Sequence, residues 1–288
     1  MNKLNIKKPN FFIVGAPRTG TTSLSIYLRD HPDIFFSIPK EPHYFSHDLG
    51  NFRKITKEED YLNIFQGAEN YKAVGEGSTW YLFSEDAIQR ILAFNPEAKF
   101  IVMVRNPIDI FHSRFYLSRY FFDETAKSPE KAWRLRDDRK KGKNVPLICS
   151  SPKLLYHGEV SKLGKQLEHL YHFVEKDKVK VIVFDDFIKD TQKVYKEVLN
   201  FLNLKYDGRT NFPVYNSRYT FKYRLVSLLA IFLHKYINFS DKLFKWNIKK
   251  VKKEPLNEDL ENELKDYFKE DVKKLSSLLG RDLTYWVD

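Results

Sequence analysis

The sequence predicts an α/β fold in which a central parallel sheet is flanked by helices. Three observations carry that expectation. Short, unbroken apolar runs recur along the chain, each is followed by an amphipathic stretch of helical period, and a Gly/Thr-rich turn directly follows the first run. Strand, helix, strand in this order closes through right-handed crossovers. The strands of such a sheet are covered on both faces, which is why they read as continuous rather than alternating apolar runs.

The elements follow in order. Residues 11–14 (FFIV) form the first strand, which begins by Asn10–Phe11. The turn at 15–22 (GAPRTGTT) leads into a helix through 23–29, where Leu24 and Leu28 share a face, and His31-Pro32 stops it. Residues 72–76 (KAVGE) read as a second strand, 84–95 as a helix and 100–104 (FIVMV) as a third strand. The helix at 106–120 has strong start signals: Asn106 to cap, Pro107 for the first position and Asp109 in the first turn. A long helix near 158–175, a fourth strand at 179–184 (VKVIVF) and a helix at 191–202 complete the alternation. Two regions interrupt it. Residues 123–152 are charged and irregular and read as a surface excursion, a helix plus a loop over the site. Residues 221–254 are basic and amphipathic, expected to pack on the domain. The 288 residues fit one domain spanning 1–288.

Composition narrows the function classes. The chain carries 24 Phe and 17 Tyr and a net charge of +11, which favours anionic partners. The single Cys149 cannot close an intramolecular disulfide and has no catalytic signature around it. The eight His are scattered, no Cys/His set has ligand spacing, and no metal is expected. The first strand starts ten residues in, leaving no room for a signal peptide, and the apolar stretch 225–233 is too short to span a bilayer. These readings point to a cytoplasmic protein.

Ligands of doubly wound sheets bind beyond the carboxyl ends of the strands. The loop 15–22 sits there. Its backbone N–H groups and the start of the following helix converge on one point and form an anion site. Its two glycines have the spacing of the P-loop of nucleotide kinases and hydrolases, but Thr21 stands where that motif has Lys, and the cation has moved to Arg18. Such a loop is suited to a different phosphate arrangement. Arg105 ends the FIVMV strand, and Ser113 lies about two turns into the next helix on a similar heading. An Arg fork with a hydroxyl suits a terminal phosphate monoester. In residues 39–45 (PKEPHYF), Glu41 sits between prolines and aromatic residues, a setting where desolvation is expected to raise its pKa and make it a better base, with His43 orienting it or touching the acceptor.

Together these residues resemble the sulfotransferases that use 3′-phosphoadenylyl sulfate (PAPS), in particular bacterial members related to the carbohydrate, heparan-type group. The likeness runs from residue 10 to the end and is weakest in the 123–152 excursion. It includes residues 75–81 (GEGSTWY), 184–187 (FDDF) and the closing LLGRDLTYW. The resemblance implies a P-loop nucleotide-kinase-like fold and the following roles. Arg18 would contact the phosphosulfate, and Thr19, Gly20, Thr21 and Thr22 would cradle the 5′-phosphate. Arg105 and Ser113 would hold the 3′-phosphate, and Glu41 would take the acceptor proton. Ser217, Arg218 and Lys222 would close over the nucleotide. The product would be adenosine 3′,5′-diphosphate, and the acceptor a hydroxyl or amine of a carbohydrate or glycolipid, with no nucleic acid partner. Two positions depart from the family pattern: Arg18 where many members have Lys, and Gly77 where some do.

Two other classes stay open on sequence. A P-loop kinase or hydrolase would need a magnesium-binding Asp, for which Asp185 or Asp186 is placed. A polyanion or membrane-surface binder would use the basic, aromatic stretch in 221–254.

Overall fold

The computed structural model describes residues 6–215, 219–221, 248–250 and 254–288. Five strands form one parallel sheet, in the order Ile34–Phe36, Ala73–Gly77, Phe11–Gly15, Lys99–Val104, Val179–Val183. In chain order the elements are β1 (Phe11–Gly15), α1 (Thr21–Arg29), β2 (Ile34–Phe36), α2 (Glu58–Asn63), β3 (Ala73–Gly77), α3 (Ala87–Phe94), β4 (Lys99–Val104) and α4 (Pro107–Tyr120). Then come α5 (Pro129–Arg134), α6 (Arg136–Lys140), α7 (His157–Val160), α8 (Leu163–Tyr171), β5 (Val179–Val183), α9 (Phe184–Lys189), α10 (Thr191–Phe201), a two-stranded pair β6 (Tyr219–Phe221) and β7 (Ile248–Lys250), and α11 (Glu258–Leu279).

Period-two alternation divides the sheet between two cores. Phe12, Val14, Phe100, Val102 and Val104 face one side and pack with α3, α8 and α11. Phe11, Ile13, Ile101 and Met103 face the other and meet Leu24, Tyr27 and Leu28 of α1 and Val194, Val198 and Leu199 of α10. The close approach of strands to side chains fixes Gly75, where a Cβ would lie 2.2 Å from the Phe11 ring. α11 buries Leu260, Leu264, Phe268, Val272 and Leu275, one face at helical spacing, and docks on α8, where Asp271 accepts from Gly164 N and Lys165 N at 2.9 Å each.

Several expectations need correction. The sheet has a fifth strand, β2, which pairs with β3 from Ile34↔Ala73 to Phe36↔Gly75. The long helix expected near 158–175 is two helices, α7 and α8, because the backbone turns at Ser161 and Lys162. The 123–152 excursion is not merely surface: Glu124 and Arg139 inside it are both 0% exposed and paired at 2.6 Å. Ser217, Arg218, Lys222 and nearly all of 221–254 lie outside the described residues.

Candidate active site

The sheet's carboxyl edge assembles the site from three strand ends. β1 leads into the Gly/Thr loop. Gly20 caps α1 with φ 90°, a left-handed conformation that costs glycine little, and a Cβ there would meet the Phe184 ring at 3.1 Å. Thr19 is fully buried and its hydroxyl donates to Ala16 O at 2.6 Å, bracing the loop from inside. Thr21 and Thr22 open α1, whose first N–H groups have no acceptor within the helix and emerge at the loop. Arg18 adopts a positive φ of 69°.

β4 supplies the partners of that loop. Arg18 Nε donates to Ser113 Oγ at 2.7 Å, and Arg105 donates to Arg18 O at 3.1 Å. Arg105 also pairs with Asp109 at 3.0 Å and lies 4.5 Å from the Phe184 ring centroid, while its Nε is buried without an acceptor. The sequence separation of 95 residues between Arg18 and Ser113 is thus closed by the β1–β4 pairing. Two guanidinium groups, an open helix start and an unsatisfied buried donor fit an anion carrying more than one phosphate or sulfate group.

β3 holds the segment that carries Glu41. Glu41 N donates to Gly77 O at 3.0 Å, His43 N donates to Ser78 Oγ at 3.0 Å, and Thr79 Oγ1 donates to Glu41 Oε1 at 3.3 Å. Both Glu41 (φ 61°) and His43 (φ 53°) are in the left-handed region, a strain that persists because these contacts over-determine it. The Glu41 side chain is 30% exposed and lines one cavity with Arg18, Thr21 and Thr22. His43 is fully buried beside it, Nε2 3.7 Å from Glu41 Oε2, so of its two expected roles only orienting Glu41 fits; it has no surface to offer an acceptor.

The electrostatics reverse one expectation. Burial does push the Glu41 carboxyl upward, but the Lys40 ammonium at 2.7 Å and the His43 contact outweigh it and hold it well below the usual carboxylate range. Burial lowers the His43 pKa, against the nearby Glu41 carboxylate, which raises it. A carboxyl raised by burial lies instead at Glu76, beneath the Glu41 segment, whose partner Ser78 also accepts from His43 N. Burial lifts it to about 7, against the hydrogen bonds donated by Ser78 (2.6 Å), Tyr81 (2.9 Å) and Tyr61 (3.2 Å). In the sequence Glu76 ends the 72–76 strand and falls in the 75–81 likeness, with no role of its own. Its signal was a charged residue inside a strand buried on both faces.

Asp185 and Asp186, the positions a magnesium-dependent kinase would need, are engaged elsewhere. Asp185 accepts from Trp286 Nε1 and Tyr285 at 3.1 Å each, and Asp186 pairs with Arg281. Among the described residues no helix is long and apolar enough to cross a membrane.

The chain resembles known proteins in sequence and in fold. Residues 9–208 match the Sulfotransferase family. Carbohydrate sulfotransferase 15 of Mus musculus is 30% identical over 164 residues, covering 42% of this chain and 28% of that protein. The bifunctional heparan sulfate N-deacetylase/N-sulfotransferase 3 of the same organism is 27% identical over 146 residues, 46% of this chain and 17% of that protein. The chain therefore spans under a third of these relatives' own length. A crystal structure of a sulfotransferase from Alicyclobacillus acidocaldarius superposes with a TM-score of 0.76 and 27% identity, covering 98% of this chain and all of that one.

Proposed function

The chain belongs to the sulfotransferase family, and from that premise we propose that it moves a sulfuryl group from PAPS to a hydroxyl or amine of a carbohydrate or glycolipid acceptor. One observation carries the proposal: Arg18, Arg105 and Ser113 are joined by hydrogen bonds at the helix start, and Glu41 faces the same cavity as Arg18.

Donor binding falls to the loop and the α4 side. The open N–H groups of α1 and the Arg18 guanidinium take the 5′-phosphosulfate, and Arg105 with Ser113 takes the 3′-phosphate. In the transfer, the acceptor oxygen or nitrogen forms a bond to sulfur in line with the departing oxygen. The S–O bond to the 5′-phosphate breaks, and its electron pair leaves with adenosine 3′,5′-diphosphate. The acceptor's proton passes to Glu41. Arg18 meets the charge that grows on the leaving oxygen, an electrostatic stabilisation of the kind that dominates phosphoryl transfer. His43 and Thr79 keep the Glu41 carboxylate turned into the cavity.

The test is calorimetric titration with adenosine 3′,5′-diphosphate beside ADP plus magnesium. Metal-independent preference for the 3′,5′-diphosphate, weakened at least about 10-fold in Arg105→Ala by loss of a charge-assisted pair, is the expected result. Preference for ADP with magnesium would overturn the reading.

A further inference from the structure

The centre of a tight turn favours Gly, Pro, Asn, Asp and Ser. Residues 146–149 break that preference. Cys149 N donates to Pro146 O at 3.0 Å and closes a four-residue turn whose two central residues are Leu147 and Ile148. Leu147 is entirely exposed and Ile148 is 60% exposed. Both flanks of the turn are tied down. Ser150 N donates to Asp123 Oδ1 at 3.1 Å on one side. On the other, Gly142 turns the chain at φ 73°, Lys143 N donates to Asp138 O at 2.8 Å, and Asn144 Nδ2 donates to Asp138 Oδ2 at 2.8 Å. The two aliphatic side chains therefore stand on a braced projection.

Its place and its charge are both informative. Asp123 and Phe121 line the cavity that holds Glu41 and Arg18, and Phe121 is 62% exposed. The bond from Ser150 to Asp123 thus sets the turn beside that cavity, near a third exposed apolar side chain. Scattered single hydrophobes on a surface need no explanation, but a group of them marks an interaction site. Cations flank the group. Over 136–148, Arg136, Lys140, Lys141 and Lys143 stand against Asp137 and Asp138, while Arg139 is matched in the interior by Glu124. Glu159 meets Lys140 at 2.8 Å but has Lys162 at 3.8 Å as well. Among the described residues Lys141 and Lys143, both exposed, make no ion pair, so the charge in excess beside the turn is positive.

Size decides what such a patch meets. A stable protein interface takes about 20–30 residues a side, and a second copy of the chain would find only three large apolar side chains here. A bilayer surface asks for no matching shape. It accepts a few apolar side chains at the headgroup boundary and, where its lipids are anionic, attracts nearby lysines; two weak signals of this kind together give a stable contact that neither gives alone. We infer that the turn 146–149 is a membrane contact, with Leu147, Ile148 and Phe121 entering the headgroup region of a bilayer that contains anionic lipid and Lys141 and Lys143 lying on its headgroups. The contact would hold the Glu41 cavity at the membrane surface. It does not depend on the transfer reading above, and either stands if the other falls.

The experiment is co-sedimentation of the full chain with vesicles of phosphatidylcholine alone and of phosphatidylcholine mixed with phosphatidylglycerol. Partitioning is expected to be at least about 10-fold stronger to the mixed vesicles and to weaken as salt rises. Leu147→Ser/Ile148→Ser, which places a turn-favouring residue at both centres, should weaken it at least about 10-fold. Lys141→Gln/Lys143→Gln should weaken it at least about 5-fold. Both double variants should keep the denaturant midpoint of the unaltered protein, because all four side chains are exposed. No partitioning of the unaltered protein, or equal partitioning to the two kinds of vesicle, would overturn the inference. Undiminished partitioning of either double variant would place the contact elsewhere, as in the basic stretch 221–254, and would overturn it too. So would a loss of partitioning matched by a lowered midpoint in both variants, which would assign the effect to the fold. Titration with adenosine 3′,5′-diphosphate tests the donor reading separately.

Discussion

Glu41 works against its surroundings. A carboxylate held below its ordinary pKa by Lys40 and His43 is ionised at any working pH, so it is always ready to receive a proton, but it holds that proton weakly. Such a base contributes most when the acceptor proton moves late, after the S–O bond to the leaving group has loosened. Glu41→Gln keeps the shape and removes the acceptor, and turnover should fall about 10²–10⁴-fold with little change in affinity for adenosine 3′,5′-diphosphate. Undiminished turnover would refute the base assignment. The sign of the pH dependence follows. In the unaltered protein the Glu41 carboxyl is depressed, so kcat/KM should show no acid limb from it between about pH 5 and 8. Lys40→Ala removes the chief opposing charge and leaves the His43 contact alone against burial, so the carboxyl rises and any acid limb of kcat/KM should move to higher pH than in the unaltered protein. An acid limb that does not move when the profile is followed down to about pH 4 in both proteins would count against the carboxylate taking the proton.

Elements carry the site by bringing distant segments into register, and the stretch 123–152 is the instructive one. It supplies Asp123 to the cavity, yet it is anchored in the interior. Glu124 accepts from Arg139 and from Ala126 N at 2.6 Å each and from the buried His157 ring at 3.2 Å, linking the excursion to α6 and α7. Removing one member of a buried ion pair leaves the other uncompensated, at a cost of about 3–5 kcal/mol. Glu124→Ala should therefore show a loss of that size in denaturant unfolding, and a change under about 1 kcal/mol, the range of exposed pairs, would show that the pair contributes no more than a surface one. The same anchoring explains what the sequence could and could not reveal. Loop 15–22 and the strands at 11–14, 72–76, 100–104 and 179–184 were legible because glycine spacing and unbroken apolar runs are local signals. β2 was not, since three residues, Ile34–Phe36, are too few to show a period. The 258–279 helix was passed over although its apolar spacing is regular. Burial of Arg139 depends on a partner 15 residues away and leaves no local trace: a charge-rich segment reads as solvated until its contacts are seen.

For the whole molecule, the buried acids and imidazoles set opposing pH dependences of stability. Glu76 is the next-to-last residue of β3, its carboxyl raised by burial to about 7. A carboxyl raised in the folded state contributes stability that is complete below its unfolded value, near 4.5, and is lost as pH rises through about 7. That shift corresponds to roughly 3 kcal/mol. Glu124 has the opposite sign. His157 and Arg139 overcome the burial that would raise it and bring it to about 2, so its contribution is present above 4.5 and disappears as pH falls toward 2. The buried His43 and His157, both lowered by burial, likewise cost stability as pH falls through their unfolded value, so they offset Glu76 in the same window. A single unfolding curve of the unaltered protein would show their sum and hide each part. The difference between Glu76→Gln and the unaltered protein isolates one group, because the neutral amide cannot ionise. Unfolding free energies of the two should lie closest to the variant's disadvantage at pH 4.5, where a protonated Glu76 is also neutral, and should shift in the variant's favour by roughly 3 kcal/mol by about pH 8. A difference that does not change with pH would mean that Glu76 titrates alike in the folded and unfolded chain, the bonds from Ser78, Tyr81 and Tyr61 cancelling the cost of burial in full. A difference that keeps growing above pH 8 would mean that Glu76 stays protonated inside the fold, with those three hydroxyls arranged around a neutral acid.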